Sequence, residues 1–192
     1  EPEPQLVGLA PHRLIFTGQM DYAPNIEAAL RIADRILPLI RETLPDASFH
    51  VVGRRPVGQL LDRHGENGCH VWGRVEDIRP WLKGAQLSIV PLDIARGVQN
   101  KVLEAMAMAL PVVLTPGAAN GIDAVSGEQF AVQADDRALA DAAIALLSDR
   151  QRAKRMGYAA RRFVIENASW QSALASLPEI AGWMSRTARN AA

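Results

Sequence analysis

The sequence predicts an open, doubly wound α/β fold: a Rossmann-like parallel sheet of about six strands, helices on both faces, and a helical tail. Three observations predict it. Short apolar runs alternate with longer segments of helical periodicity, the pattern of strand–helix–strand units. Two of the runs, S-I-V-P at 88–91 and P-V-V-L at 111–114, are apolar on both faces, as central parallel strands are. Glycine closes three of the runs, at Gly18, Gly53 and Gly73, where the ligand-binding loops of such a sheet begin.

The elements follow in order. Residues 13–17 (R-L-I-F-T) read as the first strand. Ile26, Ala29, Leu30, Ala33, Ile36, Leu37 and Ile40 recur at helical spacing, so a helix spans 24–43. Pro24 suits its first turn, and Pro38 inside it predicts a kink or an early end. Residues 48–52 form the second strand, followed by a weak helix at 57–63 and a polar turn at 65–68. Strand three covers 69–72, and Asp77 is placed to cap a short helix over 77–83. Strand four is 86–90, a helix covers 98–109, and strand five is 111–114. A loop of small residues and a short sixth strand at 129–133 come next, then helices over 136–147, 150–166 and 170–186. Residues 1–10 read as a linker, 11–170 as one domain, and 171–192 as a closing helix and tail. The chain thus reads as part of a longer protein.

Composition narrows the function. With 192 residues, 48% of them hydrophobic and 22% charged, the chain can bury a full core. Its 21 basic and 21 acidic residues balance, which leaves no electrostatic footprint for nucleic acid. The single Cys69 suits a reducing compartment. No apolar run is long enough to span a membrane, and the opening E-P-E-P-Q lacks the features of a signal peptide, so a cytoplasmic protein is expected. The first loop, G-Q-M-D-Y-A, is not a dinucleotide fingerprint, and no P-loop or G-x-S-x-G occurs. His12, His50, His64 and His70 do not fall at zinc-like spacing, so neither metal nor cofactor is expected. Six Lys or Arg residues between Ser148 and Arg162 read as a solvated helix face, with contact to an anionic membrane surface as the alternative.

The stretch from Ser88 to Val113 carries the functional signal. Arg96 precedes its helix and Lys101 lies in the first turn, where the helix dipole disfavours cations. Two cations there are tolerable if an anion binds between them and the free backbone N–H groups. On a helical wheel Val98, Val102, Ala105, Met106 and Ala109 share one sector, and Gly97, Asn100, Lys101 and Glu104 the other. The polar sector would border the crevice at the strand ends. The bland alternative is a solvated Lys101–Glu104 surface pair, worth only about 0.2–0.5 kcal/mol. Trp72 and Trp81 read as core residues rather than stacking platforms.

The run G-V-Q-N-K-V-L-E-A-M-A-M-A-L-P-V-V resembles the donor-binding half of family 4 (group 1) glycosyltransferases, nearest to the sugar transferases of bacterial exopolysaccharide clusters. L-I-F-T-G, F-H-V-V-G-R-R-P, V-W-G-R-V-E-D-I-R-P-W-L and N-A-S-W extend the similarity from about Leu14 to Trp170. The resemblance implies the carboxyl-terminal domain of a two-domain GT-B enzyme, with a nucleoside-diphosphate sugar as substrate and an amino-terminal acceptor-binding domain as partner. This half alone would be inactive. It also implies a cytoplasmic enzyme, with peripheral contact at the inner membrane as a further option.

By position, Glu104 matches the second glutamate of the family's paired-glutamate motif, which holds the nucleotide ribose. A carboxylate can accept from both ribose hydroxyls. The first glutamate's position is Arg96 here, a donor-only cation in place of an acceptor. The family's usual Arg after the first strand and Lys at the next helix are also absent, since Gln19 follows Gly18 and Pro24-Asn25 stand near the second position. Arg96 and Lys101, with Arg54, are expected to neutralise the diphosphate, helped by the amides of Gly97, Val98 and Gln99. The resemblance places the base between the loops at Gly53-Arg54 and Gly73-Arg74-Val75. Arg96, Lys101 and Glu104 are the catalytic candidates, and Gly18, Asn25, Arg54, Arg74, Val75, Gly97, Val98 and Gln99 complete the donor site. A nucleotide-sugar epimerase of the same build and a degenerate, non-catalytic module stand as alternatives.

Overall fold

The computed structural model of the chain describes residues 11–95 and 97–167. Six strands, β1 (His12–Thr17), β2 (Ala47–Val52), β3 (Cys69–Val71), β4 (Leu87–Val90), β5 (Val112–Leu114) and β6 (Ala131–Val132), form one sheet. Their order is β3-β2-β1-β4-β5-β6 and every pairing is parallel. The fold is the doubly wound sheet that the alternation of patterns predicts. Leu14 stands between Phe49 and Leu87 in register, and all three are fully buried. The predicted helix at 170–186 and the 1–10 linker lie outside the described residues.

The chain leaves β1 toward β2 and leaves β4 toward β5 in opposite directions. Right-handed crossovers therefore put the two sets of helices on opposite faces, and the strand order reverses between β1 and β4. A crevice opens at that reversal, outside the carboxyl ends of the strands.

The first crossover shows what Pro38 does. Helix α1 (Ala23–Arg31) runs into a π-helical turn over Ile32–Ile36, and α2 (Leu37–Thr43) resumes with Pro38 in its first turn. The widened turn supplies room for a ring that would clash with a carbonyl one turn back. The helix is thus remodelled rather than ended. Ile32, Ile36, Leu37 and Ile40 are fully buried, each worth roughly 1.5–3 kcal/mol of transfer free energy.

The β2–β3 connection carries only α3 (Gly58–Leu61), shorter than expected. Helix α4 (Arg79–Gly84) starts two residues later than the expected cap at Asp77. Ile78 takes the cap position, while the Asp77 carboxylate accepts from the Arg79 backbone N at 2.9 Å and pairs with the Arg79 guanidinium. Helix α5 (Asn100–Ala107) is also shorter than its apolar sector implied. Val102, Ala105 and Met106 are fully buried, but Val98 precedes the helix and is 45% exposed. The loop ahead of it is extended, so the wheel angle does not apply there.

Helix α5 ends in a Schellman motif. Ala109 N donates to Met106 O at 2.9 Å and Leu110 N to Ala105 O at 3.0 Å, with Ala109 at φ +55°. After β5 the small-residue loop forms a short helix, α6 (Pro116–Ala119). Helix α7 (Asp136–Ser148) is capped by Asp135, whose side chain accepts from Ala138 N at 2.8 Å. The basic helix α8 (Arg150–Asn167) packs on α5 and buries Met156, Gly157 and Ala160. A Cβ at Gly157 would overlap the Ala109 carbonyl oxygen. No helix of the described residues is long and apolar enough to cross a membrane.

Candidate functional site

At the carboxyl ends of the strands lies a cleft of about 660 Å³, bounded by the loops after β1, β2 and β3 and by the first turns of α5. Backbone hydrogen bonds lace these loops together. Gly18 N donates to Val52 O at 3.2 Å, Met20 N to Arg54 O at 2.8 Å, and Gly53 N to Gly73 O at 2.8 Å. The approach is so close that a Cβ at Gly53 would overlap the Gly18 carbonyl oxygen. That glycine is required by space, not by an unusual φ.

Lys101 enters this floor from α5. Its Nζ donates to Asn25 Oδ1 and lies 4.5 Å from the centroid of the fully buried Phe16 ring. Burial pushes the ammonium down to about 8, opposed by the Glu104 carboxylate. Glu104 sits at the exposed rim, yet the cleft walls desolvate its carboxyl enough to raise its pKa, opposed by Lys101. Lys101 bonds Asn25 across the cleft instead of pairing with Glu104, which removes the surface-pair reading. The Asn100 and Lys101 amides precede the first backbone bond of α5, from Val102 N to Gln99 O at 2.9 Å. Two N–H groups therefore open the helix at the cleft.

The cleft brings together most of the residues singled out from the sequence. Gly18, Asn25, Arg54, Arg74, Val75, Val98, Gln99, Lys101 and Glu104 all line it. Gly97, exposed at φ +74°, is not among the lining residues. Arg96 lies outside the described residues.

Sequence reasoning missed Gln19 and Tyr22. Gln19 holds Arg54 through its side chain at 2.6 Å and Asn25 through its carbonyl at 2.9 Å. Tyr22 lines the mouth and is 52% exposed. No motif marks such scaffolding residues. Their role depends on partners 6 and 35 residues away.

Other reactive side chains are accounted for by packing. His50, His64 and His70 meet at the sheet edge, with His50 and His70 stacked at 5.1 Å. His50 Nδ1 accepts from Trp72 Nε1 at 3.1 Å and Nε2 faces Ser48 Oγ at 3.0 Å, so its lone pair is engaged. Burial, with His70 and Arg13 nearby, pushes His50 down to about 3. Trp72 is 37% exposed and stacks on these rings, so it is an edge residue and not the core residue expected. Trp81, beside it, packs on the core. Burial pushes the Cys69 thiol up to about 12, which removes it as a nucleophile at neutral pH. Among the described residues no three His, Cys, Asp or Glu side chains converge to hold a metal ion.

Comparison with solved structures agrees on the fold. TarM of S. aureus superposes with a TM-score of 0.73 at 18% identity, over 92% of this chain and 36% of that one. HepE of Anabaena, in a complex with UDP, gives 0.70 at 14% identity over 94% of this chain and 50% of that one. The carboxyl-terminal domain of the group 1 glycosyl transferase LpcC of Francisella tularensis gives 0.67 at 16% identity, over 85% of this chain and 89% of that domain. The chain therefore spans a third to a half of the full-length structures it matches. No characterised protein matches it significantly in sequence. The family model described as "Glycosyl transferases group 1" matches residues 11–149. By that match, which takes in the whole sheet and the cleft, the chain belongs to the group 1 glycosyl transferases.

Proposed function

We propose that this domain binds the donor of a glycosyltransferase that moves a sugar from a nucleoside-diphosphate sugar to an acceptor hydroxyl, in bacterial polysaccharide or glycolipid synthesis. The observation that carries the reading is the part-buried Lys101 ammonium at the switch-point cleft, with Glu104 one turn on and Arg54 and Arg74 at the mouth. In this reading Glu104 accepts from the ribose hydroxyls. Lys101, Arg54 and the amides opening α5 hold the diphosphate, and Arg96, five residues before Lys101 in sequence, adds charge. The base lies toward Arg74 and Val75.

In the reaction the bond between the anomeric carbon and the diphosphate oxygen breaks. The diphosphate leaves with the electron pair, and the acceptor hydroxyl oxygen bonds the sugar and gives up its proton. Cations and helix-end N–H groups fixed at the diphosphate stabilise the charge as it develops there. The acceptor is held by a second domain of the same protein, and the enzyme works in the cytoplasm. Contact of α8 with the inner membrane would show as salt-sensitive cosedimentation with anionic liposomes, and its absence would remove that element.

A thermal-shift series with UDP, GDP and ADP tests the donor site. Ligand at 100 times its dissociation constant stabilises by about 2.7 kcal/mol, roughly 5–10 °C for a domain of this size. No shift with any of the three overturns the reading in favour of a module without donor binding.

A further inference from the structure

Lys101 is held where local rules would not put it. It lies in the first turn of α5, where the helix dipole repels cations, yet it reaches a residue 76 positions away. Asn25, its partner, is 7% exposed and fixed on both sides. Its Nδ2 donates to Gln19 O at 2.9 Å and its backbone N donates to Tyr22 O at 2.9 Å. An amide flip would forfeit the Gln19 bond and set NH₂ against the ammonium, so Oδ1 must face Lys101. Gly18 leaves the space. A Cβ there would stand 2.9 Å from Asn25 Nδ2 and 3.2 Å from Lys101 Nζ.

We propose that Asn25 is the positioning residue of the donor site, an amide that aims the Lys101 ammonium at the donor's diphosphate by pinning it beside Gly18. This rests on the donor-site reading above. An amide suits the task better than its alternatives. A carboxylate at position 25 would neutralise the cation, and an aliphatic side chain would free it to swing toward Glu104. The amide oxygen takes one of the three ammonium hydrogens and leaves two, with the whole charge, for phosphate oxygens.

Because burial has already brought the Lys101 proton to a pKa of about 8, nucleotide affinity should depend on pH. A terminal phosphate is ionised above a pH of about 6–7. Affinity then falls as pH rises through the Lys101 titration. The other charged or titratable groups lining the cleft are Glu104 on the same helix, Arg54 and Arg74 on the loops after β2 and β3, and Tyr22 ahead of α1. The variants below alter none of them.

The test is calorimetric titration of the 192-residue chain with whichever of UDP, GDP or ADP binds best, repeated across the pH range. Asn25→Leu should keep a cooperative thermal transition and bind about tenfold more weakly near pH 7. Asn25→Asp should weaken binding and move the midpoint of the pH profile up by about a unit or more. The exchange Asn25→Lys with Lys101→Asn, which swaps ammonium and amide, should recover most of the affinity lost by Asn25→Leu. Wild-type affinity and midpoint in the Asn25 variants, beside a Lys101→Ala that has lost binding, overturn the positioning role alone. A Lys101→Ala that binds as tightly as wild type overturns the donor-site reading with it. If Asn25→Leu loses its transition, Asn25→Asp decides: an unshifted midpoint overturns the role.

Discussion

Replacing Lys101 by Met should abolish a pH dependence of folding stability that the wild-type domain shows. Met keeps an unbranched side chain beside Phe16 and removes the ammonium that lies over its ring. Burial lowers the folded-state pKa of Lys101 from 10.5 to about 8. Between those values the unfolded chain still holds a proton that the folded domain has released. Stability from this group therefore rises with pH across the window, the reverse of the usual case for a paired lysine. Integrating the two titration curves gives a gain of about 2 kcal/mol between about pH 7 and about pH 9.5. Met leaves Asn25 Oδ1 without its donor, a cost of about 1–3 kcal/mol that does not change with pH. The assay is urea unfolding followed by circular dichroism at several pH values, read as the wild-type stability minus that of Lys101→Met. The difference should climb by about 2 kcal/mol. A flat difference would show that the ammonium is solvated in the folded domain and would refute the burial argument.

Two further outcomes follow from the packing. Gly53→Ala must push the β2 loop off the Gly18 carbonyl, so it should cost roughly 2 kcal/mol or more and eliminate the thermal shift with nucleotide; a variant that matches wild type in both would show that the loops can separate freely. Asp136 is 12% exposed and bonds Arg31 at 2.6 Å and Arg35 at 2.5 Å, whereas Asp93 is 79% exposed and bonds Arg31 at 2.5 Å. Chemical denaturation should therefore show Asp136→Ala losing about 2–4 kcal/mol and Asp93→Ala less than about 1 kcal/mol, and equal losses would contradict the burial distinction.

Much of the fold was legible because it rests on local pattern. Alternating apolar runs and helical periods identify the six strands, and double-sided apolarity places S-I-V-P and P-V-V-L on interior strands. Where local signals compete with packing, legibility ends. Pro38 announces a disturbance, but only the path of α1 and α2 across the sheet decides that a π turn absorbs it. Val98 fits the apolar sector of α5, yet the chain is still extended there and the side chain faces out. Asp77 is a good cap residue, but its carboxylate is taken by Arg79.

At the site, the sequence by itself determined the chemistry on offer: a cationic helix start, a glutamate one turn later, and glycines ending the strands. It also showed that the usual cations after the first strand are missing. Only the tertiary structure decided how these parts meet. Asn25 stands as an amide in the space beside Gly18, Lys101 crosses to it from a different crossover, and Gln19 braces both Asn25 and Arg54. The physical reason is range. Periodicity, caps and turn residues act over a few positions, whereas the contact that buries Lys101 joins residues 76 apart. It exists only because the parallel sheet sets the ends of β1 and β4 side by side.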